Sequence, residues 1–492
     1  MSSFCKLSLV LSSVALAVVG CKKSSGGSDS ASSSNDAQAS SQGTTPAAAT
    51  TQDYLLIGAP NASKGMGAVL ICNLDGSSCS QFLGGESTIA SAKSLKLQPG
   101  DKFGTSITVT ASSIFVGTAS KTGGSGEVYK FDLSGKSGET IDIADLFQEK
   151  QYFGKSIFAT SKSLFVGAPQ RKNDAATSSG ALLKCDLDGT NCADFLGGSD
   201  TSPSTTVLAQ SAGGAISGFG ASVFANDKNL FVGSQGGIGK VFKCDADGGN
   251  CLPLDTSKLG LITNDNLGST AIVGNDKNLF IAAVGRDQNK DISSTYDIGA
   301  IFQCALDGTS CTEFLGGKST SATSVSLKLA QNDKFGSSLA LSKDGQSLYV
   351  GSIGRKDLTG KAFGSVFKCA VDGSSCTEIV GGQVAEQAAP TASSSEASTT
   401  ATTAQAAPSS TSATPAPAAT APVVASVGSS ATSLKLETSS KDSSFFGAGY
   451  DNVSGPLVGA SVAVVTLPIQ AQVAAPAAPA APAAPAAPAA AK

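Results

Sequence analysis

Residues 335–382, FGSSLALSKDGQSLYVGSIGRKDLTGKAFGSVFKCAVDGSSCTEIVGG, alternate short apolar runs with polar, glycine-rich breaks. The pattern predicts four short strands. Phe335-Gly336 opens the first, 347–350 form the second, 364–369 the third and 376–380 the fourth. Asp-Gly between alternating apolar runs is a strong hairpin signal, so a two-residue turn at Asp372-Gly373 is expected to join the last two.

The same sentence recurs along the chain. Phe-Gly returns at Phe103-Gly104, Phe153-Gly154, Phe219-Gly220 and Phe446-Gly447, with Leu267-Gly268 as a degenerate copy. About ten residues after it comes an apolar strand ending in a tight turn: LLIGAP at 55–60, IFVGTA at 114–119, LFVGAP at 164–169, LFVGSQ at 230–235, LFIAAV at 279–284 and LYVGSI at 348–353. VYKF, LLKC, VFKC or IFQC hairpins follow. Short strands at regular spacing with glycine turns indicate an all-β repeat architecture. The pattern resembles the FG-GAP repeat of integrin α-subunit propellers and of many bacterial surface proteins, over about 53–382 and 433–465. That resemblance implies a β-propeller of four-stranded antiparallel blades.

The first repeat lacks its Phe-Gly strand, while 433–450 supplies a Phe-Gly strand with no full repeat after it. Joining the two ends of the chain in one blade gives six blades and removes the exposed sheet edges. Seven is the alternative, with PLVGAS at 456–461 as the second strand of a reduced blade.

Outside the repeats the composition changes. Residues 1–20 read as a signal peptide, with Lys6 before an apolar run too short to span a membrane. The run ends in Val18-Val19-Gly20-Cys21, which resembles a bacterial lipobox. The resemblance implies lipidation at Cys21 and a membrane partner through that anchor; the alternative is an ordinary signal peptide with a chance cysteine. Lys22 and Lys23 after the Cys favour outer-membrane sorting, by resemblance to enteric lipoproteins. Residues 21–52 are a polar tether with a flexible-coil span of roughly 30 Å. An Ala/Ser/Thr/Pro insert at 383–432 has too little apolar surface to fold, and an Ala/Pro-rich tail fills 466–492.

The chain of 492 residues has no His and no Trp, and its net charge is −4. The missing His removes the commonest general base and metal ligand. The absence of any basic block argues against nucleic acid. Twelve cysteines are placed readily. Cys5 leaves with the signal peptide, and Cys21 is the lipid site. The rest form C-x6-C pairs bracketing Asp-Gly: Cys72/Cys79, Cys185/Cys192, Cys244/Cys251, Cys304/Cys311 and Cys369/Cys376. A two-residue hairpin would set the two cysteines of a pair directly opposite each other, within disulfide range. In the sixth copy both thiols are absent together, replaced by Phe131 and Gly138. Disulfides within each hairpin are therefore expected, with zinc as the alternative; zinc prefers shorter spacing. No cofactor is expected. The loops where integrin repeats carry calcium-binding carboxylates read TVTASS, FATSKS, FANDK, VGNDK and LSKDGQ, without the needed ligands.

A four-stranded blade puts its 1→2 and 3→4 turns at one face and its 2→3 and 4→1 loops at the other. Here the irregular sequence falls on the second face, where a rigid scaffold would display recognition loops; integrin propellers resemble this arrangement in using that face for ligands. The three arginines, Arg171, Arg286 and Arg355, each follow the end of the second strand by four positions. One reading makes them guanidinium anchors for an acidic partner. The other pairs them with loop neighbours such as Asp174, Asp287 and Asp357, solvated and nearly neutral in energy. The expected function is a non-catalytic binding or adhesion module with a protein or glycan ligand. An envelope structural or assembly factor is the alternative, and a hydrolase lacks a base and a free thiol.

Overall fold

The computed structural model describes residues 51–85, 95–118, 120–121, 125–141, 151–172, 179–197, 217–287, 297–357, 360–381 and 457–468. Six four-stranded sheets form a propeller. Blade 1 is made of Ser461–Pro468, Thr51–Ala59, Ala68–Asn73 and Ser80–Gly84, in that spatial order, so both ends of the repeat region share one sheet. Blades 2 to 6 run through 103–140, 156–197, 217–253, 267–316 and 335–381, each in chain order from first strand to fourth. All pairings within the blades are antiparallel.

Each blade lies between two others, which explains why its second strand is a continuous apolar run. Leu164, Phe165 and Val166 are all buried, although alternate side chains point to opposite faces of the sheet. The Phe of Phe-Gly packs at the junction and meets an aromatic ring of the third strand edge-on, as in Phe103–Tyr129, Phe219–Phe242 and Phe335–Phe367.

Two circles of hydrogen bonds join the blades. At every junction the amide of the Phe-Gly Phe, or its Leu267 or Val458 equivalent, donates to a carbonyl of the preceding blade: Met66, Ser125, Ser179, Ile238, Ile298 and Phe363, at 2.9–3.0 Å. Nearer the axis, a hydroxyl two places after the glycine donates to the carbonyl of the next blade's own glycine. The donors are Ser106, Ser156, Ser222, Thr270, Ser338 and Ser461, at 2.5–2.9 Å, and the last closes the ring onto Gly104. Backbones approach so closely here that a Cβ on Gly167 would collide with the Gly220 carbonyl and the Ser156 hydroxyl. Gly58, Gly117, Gly233 and Gly351 meet the same obstacle.

The ring therefore has six blades, closed by the chain ends. The closing strand is Ser461–Pro468, introduced by Val458-Gly459, and 433–450 lie outside the described residues. PLVGAS is thus the opening of the closing strand and not the second strand of a seventh blade. Val458 takes the place of the Phe because its amide and its parallel bridge to Gly364 need only backbone atoms.

The five disulfides lie within the hairpins, as Cys72–Cys79, Cys185–Cys192, Cys244–Cys251, Cys304–Cys311 and Cys369–Cys376, with Cα atoms 3.9–4.1 Å apart. The pairing is the expected one, but the hairpins differ from expectation in two respects. Their turns are wider than the two-residue form. Six residues separate the cysteines of a pair, and the Gly76 amide closes a turn onto the Asn73 carbonyl with Gly76 at φ 81°. Asp75 supports the loop by accepting from the amide and hydroxyl of Ser77, which holds its carboxyl below the usual range.

The second difference concerns the cysteines themselves. Only Cys376 stands in its strand directly opposite its partner, in register with Cys369. Cys79, Cys192, Cys251 and Cys311 each fall one residue short of a fourth strand that begins at Ser80, Ala193, Leu252 or Thr312. The cause is the preceding residue. Ser78, Asn191, Asn250 and Ser310 are left-handed, with φ between 45° and 52°, which interrupts the extended backbone just before the thiol. Asn191 and Asn250 are held there by side-chain bonds to Asp186 and Asp245. The cysteine-free copy places Phe131 opposite Gly138, where a Cβ would strike the Phe131 ring.

Candidate functional site

First strands run from the Phe-Gly end of the ring toward the hairpin end, and second strands return. The Phe-Gly end accordingly gathers the exits of the second strands and the approaches to the first. There a cavity of about 410 Å³ opens, and Pro60, Lys102, Pro169, Gln235, Val284 and Ile353 among its lining residues come from blades 1 to 6. It shares Thr105, Lys155, Thr270, Ser337 and Ala460 with an axial channel of about 300 Å³ lined by the six first strands. Those strands are sheet edges, so their unpaired backbone groups border the channel.

The residue before each Phe-Gly unit is left-handed in all six blades: Lys102, Tyr152, Gly218, Asn266, Lys334 and Leu457 have φ between 53° and 64°. Such a conformation is unfavourable for a side chain other than Gly, Asn or Asp. In two blades a hydroxyl pins it. Thr105 donates to the Lys102 carbonyl at 2.7 Å, and Ser337 to the Lys334 carbonyl at 2.6 Å. Blade 3 has Lys155 at that hydroxyl's position. Burial pushes the Lys155 amine down, and the Lys102 charge adds to the effect.

The arginines take equivalent places at this face, as their spacing implied, but their guanidiniums turn inward. Arg286 and Arg355 are only 3% and 4% exposed. Arg286 donates through Nη1 to Asp265 at 2.7 Å and through Nε and Nη2 to Glu313 at 3.1 and 2.9 Å. It also reaches the carbonyls of Gly260 and Leu259 and lies 5.7 Å from the Phe302 ring centre. Arg355 repeats the arrangement with Asp333, Glu378, two carbonyls and Phe367. In blade 3 the node differs. Arg171 bonds Asp194, and Gln151 stands where the others have an aspartate. Each node ties the second-strand exit to the fourth strand and the first-strand approach of its own blade.

This corrects the sequence expectations for Arg286 and Arg355. They are neither solvent-facing anchors nor solvated partners of Asp287 and Asp357, because burial leaves a guanidinium stable only where fixed carboxylates and carbonyls surround it. Asp174 lies outside the described residues. Asp287 instead accepts from the Ile298 amide, and burial raises its pKa, with a smaller contribution from the Asp297 charge. The spacing of the arginines was legible. Their partners were not, lying up to 28 residues away.

All ten cysteines of the C-x6-C pairs are oxidised and sit at the opposite, hairpin end. Cys251 and Cys376 are buried there, and Cys192 is half-buried, so their bridges belong to the blade and not to a binding face. Cys21 lies outside the described residues. Among the described residues no group of three or more His, Cys, Asp or Glu could hold a metal, and no helix is long and apolar enough to cross a membrane. Sequence reasoning passed over the lysines at the mouth and the hydroxyl ring. The ring had a signal: a Ser or Thr follows each Phe-Gly unit of the ring within two residues of the glycine.

The fold and face define a six-bladed, disulfide-stapled β-propeller. No family model matches the chain, and no curated protein matches it. Among solved structures it is similar to the crystal structure of TolB from Acinetobacter baumannii, at 13% identity and a TM-score of 0.40. That match covers 66% of this chain and 61% of the TolB chain.

Proposed function

We propose that this protein is a non-catalytic binding module of the bacterial cell envelope, related to FG-GAP propellers, held to the outer membrane by a lipid on Cys21. It engages a protein ligand through its Phe-Gly face. The observation that carries this reading is where the ring begins and ends. Thr51 pairs with Pro468 beyond Tyr54 and Asn73, at the hairpin end beside the Cys72–Cys79 bridge. A lipid tether preceding Thr51 joins the ring at its stapled face. The loop face with its mouth cavity then points away from the membrane, where a partner can reach it. The absence of His and the pairing of every described cysteine support a role without covalent chemistry.

The test places a photo-crosslinking residue in cells, at Gln170 or Gln235 on the loop face and at Ser77 or Ser310 on the hairpin face. Adducts with a second protein are expected from the loop-face positions alone. In the same cells Cys21→Ala should move the protein from the membrane to the soluble fraction. Adducts confined to the hairpin face, or a Cys21→Ala protein that stays in the membrane, refute the orientation.

A further inference from the structure

Two lysines of like charge converge at the mouth, with no counter-charge among the described residues. Lys102 belongs to blade 2 and Lys155 to blade 3, and among the described residues neither side chain makes an ion pair. Among the described residues, the lining of the mouth and of the channel below it includes no Asp or Glu. Lys334 differs, since Asp297 lies 3.7 Å from its amine. Two unfavourable features meet at this spot. Lys102 occupies a left-handed backbone position that Gly218 fills without strain in blade 4. Lys155 replaces the pinning hydroxyl, so that a cation stands at the edge of the channel near a second cation. Strain and unpaired charge of this kind concentrate where a ligand is received.

The rest of the mouth indicates what kind of ligand. Pro60, Tyr152, Pro169, Ile353 and Leu457 give it an apolar rim. Its volume falls within the range of sites that hold drug-sized molecules, more space than a bare oxyanion fills. Apolar surface beside two ammonium groups suits a chain that carries carboxylates among aliphatic groups.

We propose that Lys102 and Lys155 receive the carboxylates of an acidic peptide segment of the partner protein, inserted into the mouth between blades 2 and 3. This rests on the reading that the loop face binds a protein. The carboxylates supply the missing counter-charge, and the rim covers the peptide's apolar groups. Long-range attraction toward the mouth speeds encounter and weakens with salt.

The experiment uses the full-length protein in detergent micelles and a fluorescein-labelled Glu–Ala repeat peptide, with the matching Gln–Ala peptide and inorganic phosphate as comparisons. Anisotropy should show binding of the Glu peptide that is at least about tenfold weaker in Lys102→Gln/Lys155→Gln, the scale of losing one charge contact. Lys136→Gln, exposed in the hairpin turn of blade 2, should bind as the unaltered protein does. The double variant removes a repulsion, so its melting temperature should not fall, which separates lost binding from lost folding. Equal binding of the Glu and Gln peptides, or no loss in the double variant, overturns the proposal. Phosphate that binds as tightly as the Glu peptide and with the same dependence on both lysines also overturns it, in favour of a small oxyanion. If the Glu peptide fails while loop-face crosslinks persist, the acidic ligand is wrong and the binding face stands. If the peptide binds through both lysines but crosslinks form only at the hairpin face, the site stands and the proposed orientation fails.

Discussion

The two ends of the ring are made from the same strands and are stabilised in opposite ways. At the hairpin end one solution is repeated in five of the six blades: a six-residue loop, an Asp accepting from the residue two places on, and a disulfide across the strand ends. At the loop end the backbone repeats but the side chains do not. Every residue before Phe-Gly is left-handed, yet it is Lys, Tyr, Gly, Asn, Lys and Leu in turn. Stability there comes from ion-pair nodes in three of the blades. Covalent closure is local, so each staple works without regard to its neighbours. A guanidinium node links three segments of a blade and leaves the loop between them free to vary. The uniform end holds the ring, and the varied end can be altered for recognition without disturbing it.

The comparison can be broken most directly at the element both ends share, the glycine contact at the blade junction. Gly167→Val drives side-chain carbons into the Gly220 carbonyl, backbone that cannot move aside. It should cost at least about 4 kcal/mol, beyond ordinary overpacking. Far-ultraviolet circular dichroism during urea unfolding would measure it, and a variant as stable as the parent would refute the junction account.

Next comes the loop end. Arg286→Ala leaves Asp265 and Glu313 buried without their cation and should cost about 3–4 kcal/mol. Arg171→Ala should cost clearly less, because its side chain is 15% exposed against 4% for Arg286, and the Gln151 amide stands where Arg286 meets the Asp265 carboxylate. Thermal unfolding of the two variants side by side tests the ordering, and equal losses would mean that neither the deeper burial of Arg286 nor the Asp265 carboxylate adds to its node. The smallest effect is expected at the hairpin end. Replacing Cys72 and Cys79 together with Ser should lower stability by about 2.5 kcal/mol, the chain-entropy value for an eight-residue ring. The loss should be confined to blade 1, so hydrogen exchange should rise there first. A loss spread evenly over the ring would show that the staples act globally.

Much of this was legible in the sequence because the information is local. Apolar runs of strand length, Phe-Gly, Asp-Gly and C-x6-C each act over a few residues, so they indicated the strands and the pairing of every described cysteine, and by repetition they favoured six blades while leaving seven open. The same spacing did not reveal that Cys192 and Cys251 stop short of the ladder while Cys376 joins it, because that turns on one backbone angle before each thiol. The equivalence of the three arginines was equally visible, since it is a matter of spacing within a repeat. Only the tertiary structure decided where their charges point. Asp265, Glu313, Asp333 and Glu378 reach the guanidiniums from other strands and loops of the blade, and burial makes those contacts compulsory. The closing strand was decided the same way. Val458-Gly459 has no aromatic ring to announce it, and it qualifies through a backbone amide and a glycine that fit the last open junction. The meeting of Lys102 and Lys155 likewise depends on how neighbouring blades pack, because repeats set side by side on one axis bring together residues that no pattern along the chain relates.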